Sequence, residues 1–374
     1  MSALRILHVA FSLDAGGMEN GIVNVSNALS AEDFEVHACC LARGGEFVAR
    51  FLDAGRRVHV LGKREGFSLS TVAALASHIR RLSPDIIHTH NFGPLIYTVL
   101  AAPAAGSRIV HGEHAELTPS ELAPHRRLMR LLLYHCVRRV HTVSHSLRES
   151  LIRQGFPAAK MEVIVNGVDT ARFQPGSREA ARRATGLPVH GTILGLVGRF
   201  GPFKRHAELI EAFEQLAPFH PDLELLFAGG GGPLEERTRK RAAASPFASR
   251  IHFAGFQLDP RPWYRSLDLL VLPSVNEGLS NALIEAMACG IPALGHTACG
   301  NAEVIEDSAN GFLRDLSTPG QLRDSIARIL AARDTLPAIG RAARLTIETS
   351  FTFPGMVAGY ERLYRRMAGR GTAG

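Results

Sequence analysis

Residues Pro273 to Ala302 read PSVNEGLSNALIEAMACGIPALGHTACGNA, and the reading of this stretch decides the fold. It runs from the end of an apolar strand (LDLLVLPS, Leu267 to Ser274) through a small-residue loop into a helix, a Cys-Gly stop and a second strand. Ser280 or Asn281 suits the helix N-cap, and Gly290 suits its C-terminal stop. Two carboxylates bracket the turn: Glu277 in the loop and Glu285 in about the second helical turn. Were all the steps between them helical, they would span roughly 12 Å; a loop entry shortens that. Such a reach suits an elongated ligand lying across a helix N-terminus, with one end held by each carboxylate. The amides of Gly278, Leu279 and Ser280 would face its middle, where the positive helix end favours phosphate. Either glutamate alone reads as a cap or a solvated helix face. The pair, taken with the small-residue loop and the CGNAE segment from Cys299 to Glu303, reads as a site.

The chain has 374 residues and is 46% hydrophobic, enough for two cores and therefore two domains. Its five cysteines, Cys39, Cys40, Cys136, Cys289 and Cys299, are scattered and mostly within apolar runs, as expected of free, buried thiols in a reducing compartment. The apolar start RILHVAF is too short to span a bilayer and lacks signal-peptide flanks, so a cytoplasmic location is expected. The formal net charge is +7, of which residues 1–188 carry +6. A basic N-terminal half suits acidic lipid headgroups or a pyrophosphate-bearing substrate. Nucleic acid is not expected, since basic–aromatic interleaving and zinc-finger spacing are both missing.

Apolar strand-like runs alternate with helical patterns along the whole chain, the mark of parallel α/β sheets. Strands are expected at Arg5–Ser12, Glu35–Leu41, Arg57–Leu61, Asp85–His90, Arg108–His111, Arg139–Val143 and Met161–Val165. A second series is expected at Ile193–Val197, Leu223–Ala228, Ile251–Ala254, Leu269–Leu272 and Pro292–Leu294. The polar segment Asp169–His190 reads as the linker. The expected fold is therefore two Rossmann-like, doubly wound parallel-sheet domains with strand C-termini facing a common cleft. Their bounds are 1–170 and 191–352, with 171–190 between. The tail, 353–370, reads as an amphipathic helix with Met356, Tyr360, Leu363, Tyr364 and Met367 on one face.

Several motifs fall at strand ends. DAGGMEN places Gly16 and Gly17 at a strand-to-helix turn, where the backbone approaches a ligand closely. It is not GxGxxG, so a nicotinamide enzyme gains no support. IIHTHN puts His88 and His90 on one strand face, yet no third or fourth ligand has recognisable spacing and helical HExxH is missing. Structural histidines are expected there, not a metal. VHGEHAE places His114 at a strand end, with Glu113 and Glu116 nearby and no pattern marking either as a nucleophile. HRRLMRLLLYHCVRRV, His125 to Val140, suits either an interfacial membrane helix or a core helix with snorkelling arginines; the α/β spacing favours the core helix. In LGLVGRFGPFKRH, Arg199 and Lys204 follow a strand and a tight Gly turn, placed to meet an anion. FAGGGGP, Phe227 to Pro233, is another strand-to-helix Gly loop.

EGLSNALIEAMACGIP, the GGxE element around Gly16 and Glu19, and the GR…K element around Arg199 and Lys204 together resemble retaining family-4 glycosyltransferases. The resemblance covers essentially the whole chain. It implies the GT-B fold, with the last helix crossing back to the N-terminal domain. It also implies that Glu285 holds the ribose hydroxyls of a nucleotide while Glu277 sits by the donor sugar. Arg199 and Lys204 would neutralise the leaving diphosphate. Gly278, Leu279, Ser280 and Asn281 would line the nucleotide, and Gly16 and Gly17 would face the donor phosphate or acceptor. Glu19 would support that loop or touch acceptor, and His114 would contact the donor sugar. The HFAGF strand, His252 to Phe256, resembles the one whose following backbone holds the base.

The chain contains no Asp-x-Asp, so no cofactor or metal is expected, and fixed cations would stabilise the leaving group instead. The implied reaction moves a sugar from a nucleotide diphosphate, a UDP-sugar on family frequency, to a hydroxyl with retained stereochemistry. The resemblance further implies a lipid-linked saccharide acceptor at the inner membrane face, in exopolysaccharide assembly. A nucleotide-sugar epimerase of similar fold and a catalytically silent, membrane-associated scaffold are the alternatives.

Overall fold

The computed structural model describes residues 2–102, 108–298 and 300–369, and the chain divides into two compact units. One is Met1–Asn166 with Pro354–Gly374; the other is Gly167–Phe353. The first unit holds seven parallel strands: β1 Leu4–Ala10, β2 Phe34–Cys40, β3 Arg57–Val60, β4 Ile86–His90, β5 Arg108–Glu113, β6 Arg139–Thr142 and β7 Met161–Val163. They lie in the order β3-β2-β1-β4-β5-β6-β7. The second unit holds β8 Thr192–Val197, β9 Leu223–Ala228, β10 Ile251–Gly255, β11 Leu269–Leu272, β12 Ala293–His296 and β13 Phe312–Arg314. Their order is β10-β9-β8-β11-β12-β13, again all parallel. In the second sheet the central strands β8 and β11 are buried at every position, because helices cover both faces. β13 was not anticipated: three residues, FLR, carry too little periodicity to register.

Each sheet reverses its winding once, between β1 and β4 in the first and between β8 and β11 in the second. At such a switch point, the loops leaving the two strands diverge and open a crevice at the strand C-termini.

The expected linker differs from the structure. Asp169–His190 lies inside the second unit and carries the helix Arg178–Thr185, capped by Ser177 and closed by Gly186 at φ 72°. Arg182 is buried, although Arg178 and Arg183 stay exposed. Arg178 and Arg182 both pair with Asp268, at 2.6 and 2.5 Å, and this anchors the segment to the sheet.

The helix Pro124–Cys136 also departs from expectation. A core helix should bury its leucines, yet Leu128 and Leu132 are 58% and 61% exposed, and Arg130 and Tyr134 face inward instead. The cause is Glu113 at the end of β5. Its buried carboxylate accepts from Arg130 and Tyr134 and lies 2.9 Å from His111 Nε2. Burial works to raise the Glu113 pKa, but Arg130 and His111 outweigh it and bring it to about 2. Cys136, on this helix, is exposed, whereas Cys39, Cys40 and Cys289 are buried free thiols as expected. Cys299 lies outside the described residues.

The last helix, Phe353–Met367, buries Met356, Tyr360, Leu363, Tyr364 and Met367, the expected face. From Pro354 onward it belongs to the first unit, where Arg365 pairs with Asp33 at 2.7 Å and Tyr364 meets His88 Nδ1 at 2.8 Å.

Replacing Arg130 by Met would leave the Glu113 carboxylate buried without its cation. Urea unfolding should show a loss of about 3–5 kcal/mol, and Arg130→Met combined with Glu113→Gln should recover part of it. Because the Glu113 pKa is depressed, its contribution is present above the ordinary carboxylate range and is lost as pH falls towards about 2.

Candidate active site

In the second unit, the loops after β8 and β11 leave the sheet side by side at the switch point. The first loop begins at Gly198, φ 152°, and its backbone passes so close to Gly229 that a Cβ on Gly229 would sit 2.1 Å from the Gly198 carbonyl oxygen. That approach needs glycine, and it joins the loop after β8 to the Gly-rich loop after β9. Arg205, in left-handed conformation at φ 59°, is buried and donates to the carbonyls of Leu316 and Ser317 (2.9 Å for the latter), which fixes the turn. Lys204, one residue earlier, lies over Gly198, where an added Cβ would be 3.6 Å from Nζ. Arg199, on the same loop, is exposed.

The loop after β11 brings Glu277 to Lys204, and the two form an ion pair. Burial works to raise the Glu277 pKa. The Lys204 ammonium and the hydroxyls of Ser274 and Ser280 outweigh it, so the carboxylate is held ionised. Ser280 occupies the N-cap position of the helix Asn281–Ala288, but its hydroxyl serves Glu277 instead of capping the helix. The expected stop is in place, with Gly290 at φ 76° just past the helix end. Gly278 and Gly300 approach closely: a Cβ on Gly300 would lie 1.9 Å from the Gly278 carbonyl oxygen, so the loop rests directly on the segment after β12.

Glu285 is a different kind of carboxylate. It is half-buried, and Tyr264 Oη donates to its Oε2 at 2.7 Å. Burial raises its pKa to about 7, against the smaller opposing pulls of Tyr264 and Arg172. Two glutamates eight positions apart are therefore tuned in opposite directions, one ionised by a lysine and one poised near neutrality. Tyr264 comes from the short helix Arg261–Arg265 and had no signature in the sequence; only tertiary packing assigns it to Glu285. The loop after β9 adjoins the end of β10, with Gly229 N–H donating to Gly255 O at 2.9 Å and Phe256 packed against Gly230.

In the first unit, Gly16 is the N-cap residue and Gly17 the first residue of the helix Gly17–Ala28. The Glu19 carboxylate folds back over Gly16, where a Cβ would meet its Oε2 at 2.2 Å. The loop is braced by the one after β2: Glu46 accepts from the Ala15 amide at 2.8 Å, and Arg43 pairs with Asp14 at 2.7 Å. At the end of β4, Asn91 sits at φ 68° and ψ 161°, a region almost reserved for glycine and costing about 1–3 kcal/mol. Strain of this kind at a switch point marks a residue that sequence reading passed over.

His114 follows β5 and is partly buried; that burial, with His111 nearby, lowers its pKa to about 4. His90 lies 3.1 Å away, Nδ1 to Nε2. A third imidazole, absent from the spacing of His88 and His90, comes from β1: His8 Nδ1 is 2.9 Å from His90 Nε2. His8, His88 and His90 are all buried, and their ring nitrogens lie within 4.8 Å of one another. Glu116 accepts from Ser150 Oγ at 2.6 Å, and Glu113 is consumed by Arg130. The structure thus brings together Lys204, Glu277 and Ser280 in one group, Gly16, Gly17 and Glu19 in another, and His114 with the histidines of β1 and β4.

Comparison with known proteins matches both units. Residues 15–172 match the family model Glycosyltransferase Family 4, and residues 177–346 match Glycosyl transferases group 1. The D-inositol 3-phosphate glycosyltransferase 2 of Catenulispora acidiphila is 28% identical over 371 residues, covering 90% of this chain and 87% of that protein. The D-inositol 3-phosphate glycosyltransferase of Mycolicibacterium vanbaalenii is 29% identical over 306 residues, 74% of this chain and 67% of the relative. Among solved structures, Anabaena HepE in complex with UDP and glucose is similar with a TM-score of 0.86 at 20% identity, over 96% of this chain and 99% of that one. Sucrose-phosphate synthase of Thermosynechococcus elongatus gives 0.83 at 20% identity, over 97% and 99%. At that identity the structures speak for the fold, and the two family models speak for the enzyme class. The chain belongs to the family-4 glycosyltransferases and has the GT-B fold.

Proposed function

We propose that the protein transfers a sugar from a nucleotide diphosphate, a UDP-sugar, to a hydroxyl of a saccharide or lipid-linked saccharide, with retained stereochemistry and without a metal. The observation that carries this reading is the Lys204–Glu277 pair beside the N-terminus of the helix Asn281–Ala288. A departing diphosphate needs positive charge, and here it meets the cations Lys204 and Arg199, with the amides from Gly278 to Asn281 at the helix start. No Asp-x-Asp is present to clamp a metal, which supports the metal-free reading. Glu277 orients the donor sugar, and Glu285 accepts from the ribose hydroxyls. HepE has been solved with UDP-glucose, which supports UDP as the nucleotide.

In this reading, Gly16, Gly17 and Glu19 serve the donor phosphate and acceptor, and His114 contacts the sugar. Attack comes from the face the leaving group departs from, and a phosphate oxygen takes the acceptor proton. His114 and Glu277 then orient and stabilise the sugar and are not nucleophiles. Family membership favours transfer over the epimerase and scaffold alternatives. The acceptor class follows from the resemblance to exopolysaccharide enzymes. The relatives named for D-inositol 3-phosphate make a phosphorylated polyol the comparison acceptor.

Peripheral contact with an anionic inner-membrane face belongs to the same proposal. No helix among the described residues is long and apolar enough to cross a membrane. The helix Pro124–Cys136 instead exposes Leu128, Met129 and Leu132 beside the exposed Arg126 and Arg127. Apolar side chains with flanking arginines suit insertion at headgroup level.

Lys204→Ala and Glu285→Ala should each lower turnover of UDP-sugar by roughly a hundredfold or more while the circular dichroism spectrum is unchanged. Wild-type rates in either would contradict the assignment, and loss of activity in EDTA would contradict the metal-free mechanism. An acceptor panel containing oligosaccharides, lipid-linked saccharides and inositol 3-phosphate tests the acceptor class, and product anomer analysis tests retention.

Glu285 also makes a pH prediction. A folded pKa of about 7, above the ordinary value, gives stability that is full below the unfolded pKa and is lost as pH rises through about 7. Glu285→Gln should therefore raise Tm by roughly 2–4 °C at pH 8 and by less at pH 5. For the membrane contact, co-sedimentation with phosphatidylglycerol vesicles should fall sharply in Leu128→Ser/Leu132→Ser; unchanged binding would remove the helix Pro124–Cys136 from the proposal.

A further inference from the structure

Three imidazoles, His8 within β1, His90 at the end of β4 and His114 just past β5, form a hydrogen-bonded line, and only its last member enters the reaction proposed above. His8 Nδ1 meets His90 Nε2 at 2.9 Å, and His90 Nδ1 meets His114 Nε2 at 3.1 Å. His8 is 2% exposed and His90 2% exposed. The other ring nitrogen of His8, Nε2, is buried and has no partner. All three rings are neutral near pH 7: burial lowers His8 to about 3, His114 to about 4, and His90 well below its ordinary value.

A neutral imidazole carries one ring proton. His90, in the middle, uses both nitrogens, so the line runs in one of two directions. In the first, His8 Nδ1–H donates to His90, His90 Nδ1–H donates to His114 Nε2, and His114 keeps its proton on Nδ1. In the second, every proton sits on the opposite nitrogen, and His8 is left with a buried N–H that donates to nothing. The first direction leaves His8 with only a bare lone pair. Orphaned buried N–H groups are rarer than under-satisfied acceptors, because the donor's one bond is then lost outright.

We infer that His90, braced by His8, is a positioning residue that fixes His114 as the Nδ1–H tautomer, so that His114 presents a hydrogen-bond donor to the sugar. It follows that His114 does not serve as a proton acceptor, since its only lone pair is already taken by His90. The inference rests on the reading of His114 as a sugar contact only for its catalytic consequence; the tautomer stands without it. The groups around the line are His88 on β4, His111 and Glu113 on β5, His141 on β6, and Tyr360 and Tyr364 on the last helix. His88 has its own partners, with Nδ1 2.8 Å from Tyr364 Oη and Nε2 2.8 Å from His141 Nε2.

A metal would need a different geometry. Nitrogens bound tetrahedrally at about 2.0–2.1 Å from zinc lie roughly 3.3 Å apart, each with its lone pair aimed at the ion. The pairs here are closer, at 2.9 Å for His8 and His90 and 2.8 Å for His88 and His141, as hydrogen bonds require.

The test uses the full chain with 15N-labelled histidine and two-bond proton–nitrogen correlation at pH 7, with the His114 signals assigned by their loss in His114→Gln. His114 and His90 should both show a protonated Nδ1 and an unprotonated Nε2. A protonated Nε2 on His114 would overturn the inference, as would zinc added at one equivalent erasing the hydrogen-bonded pattern of His8 and His90. Kinetics give a second readout. His90→Leu should lower kcat roughly ten- to a hundredfold with little change in the donor KM. His90→Asn, whose amide nitrogen reaches the place of Nδ1, should restore most of it. Wild-type kcat in folded His90→Leu, or no recovery in His90→Asn, would overturn the positioning role. Wild-type turnover in His114→Ala would instead defeat the sugar contact and leave the tautomer intact, so the two failures are distinguishable.

Discussion

In the proposed reaction, the ion pair between Lys204 and Glu277 is the constraint on which the second unit's part depends. Burial works against the charge on Glu277, and the Lys204 ammonium, with the hydroxyls of Ser274 and Ser280, keeps the carboxylate ionised. The pair also ties together the two loops that diverge at the switch point. Those loops are in turn held by close glycine approaches, Gly198 with Gly229 and Gly278 with Gly300. The cation and the helix start are therefore positioned before any ligand arrives. Preorganised charge of this type acts on a leaving diphosphate with no reorganisation at the moment of bond cleavage.

The two glutamates show how one short stretch of chain supplies two chemistries. Glu277 is ionised because a lysine is beside it, whereas Glu285 is pushed to about 7 because burial dominates and its neighbour is a phenol. The first suits a group facing developing positive charge on a sugar. The second suits hydroxyls that both donate and accept. In the first unit the equivalent care is spent on backbone, in Asn91 at φ 68° and in the loop around Gly16 braced by Glu46 and Arg43.

Much of this was legible in the sequence because it is local. Strand alternation, the Gly turns after β1, β8 and β9 and the stop at Gly290 are all short-range patterns, and the structure realises them. What escaped was set by long-range pairing. The segment 169–190 reads as a linker because it is polar and contains arginine and proline, but Asp268, far along the chain, receives Arg178 and Arg182. The helix Pro124–Cys136 reads as a core helix because the α/β spacing fits one; the buried Glu113 instead draws in Arg130 and Tyr134 and leaves Leu128 and Leu132 exposed. His8 joins His90 across strands that are adjacent in the sheet and remote in the chain, and no spacing rule anticipates that. Tyr264 reaches Glu285 in the same way.

The most direct measurement is a crystal structure of the protein with UDP bound. Diphosphate oxygens should lie within hydrogen-bonding distance of Lys204 Nζ and the Arg199 guanidinium, with the ribose hydroxyls on the Glu285 carboxylate. Nucleotide bound away from the loops after β8 and β11, or a ribose that leaves Glu285 untouched, would contradict the proposal.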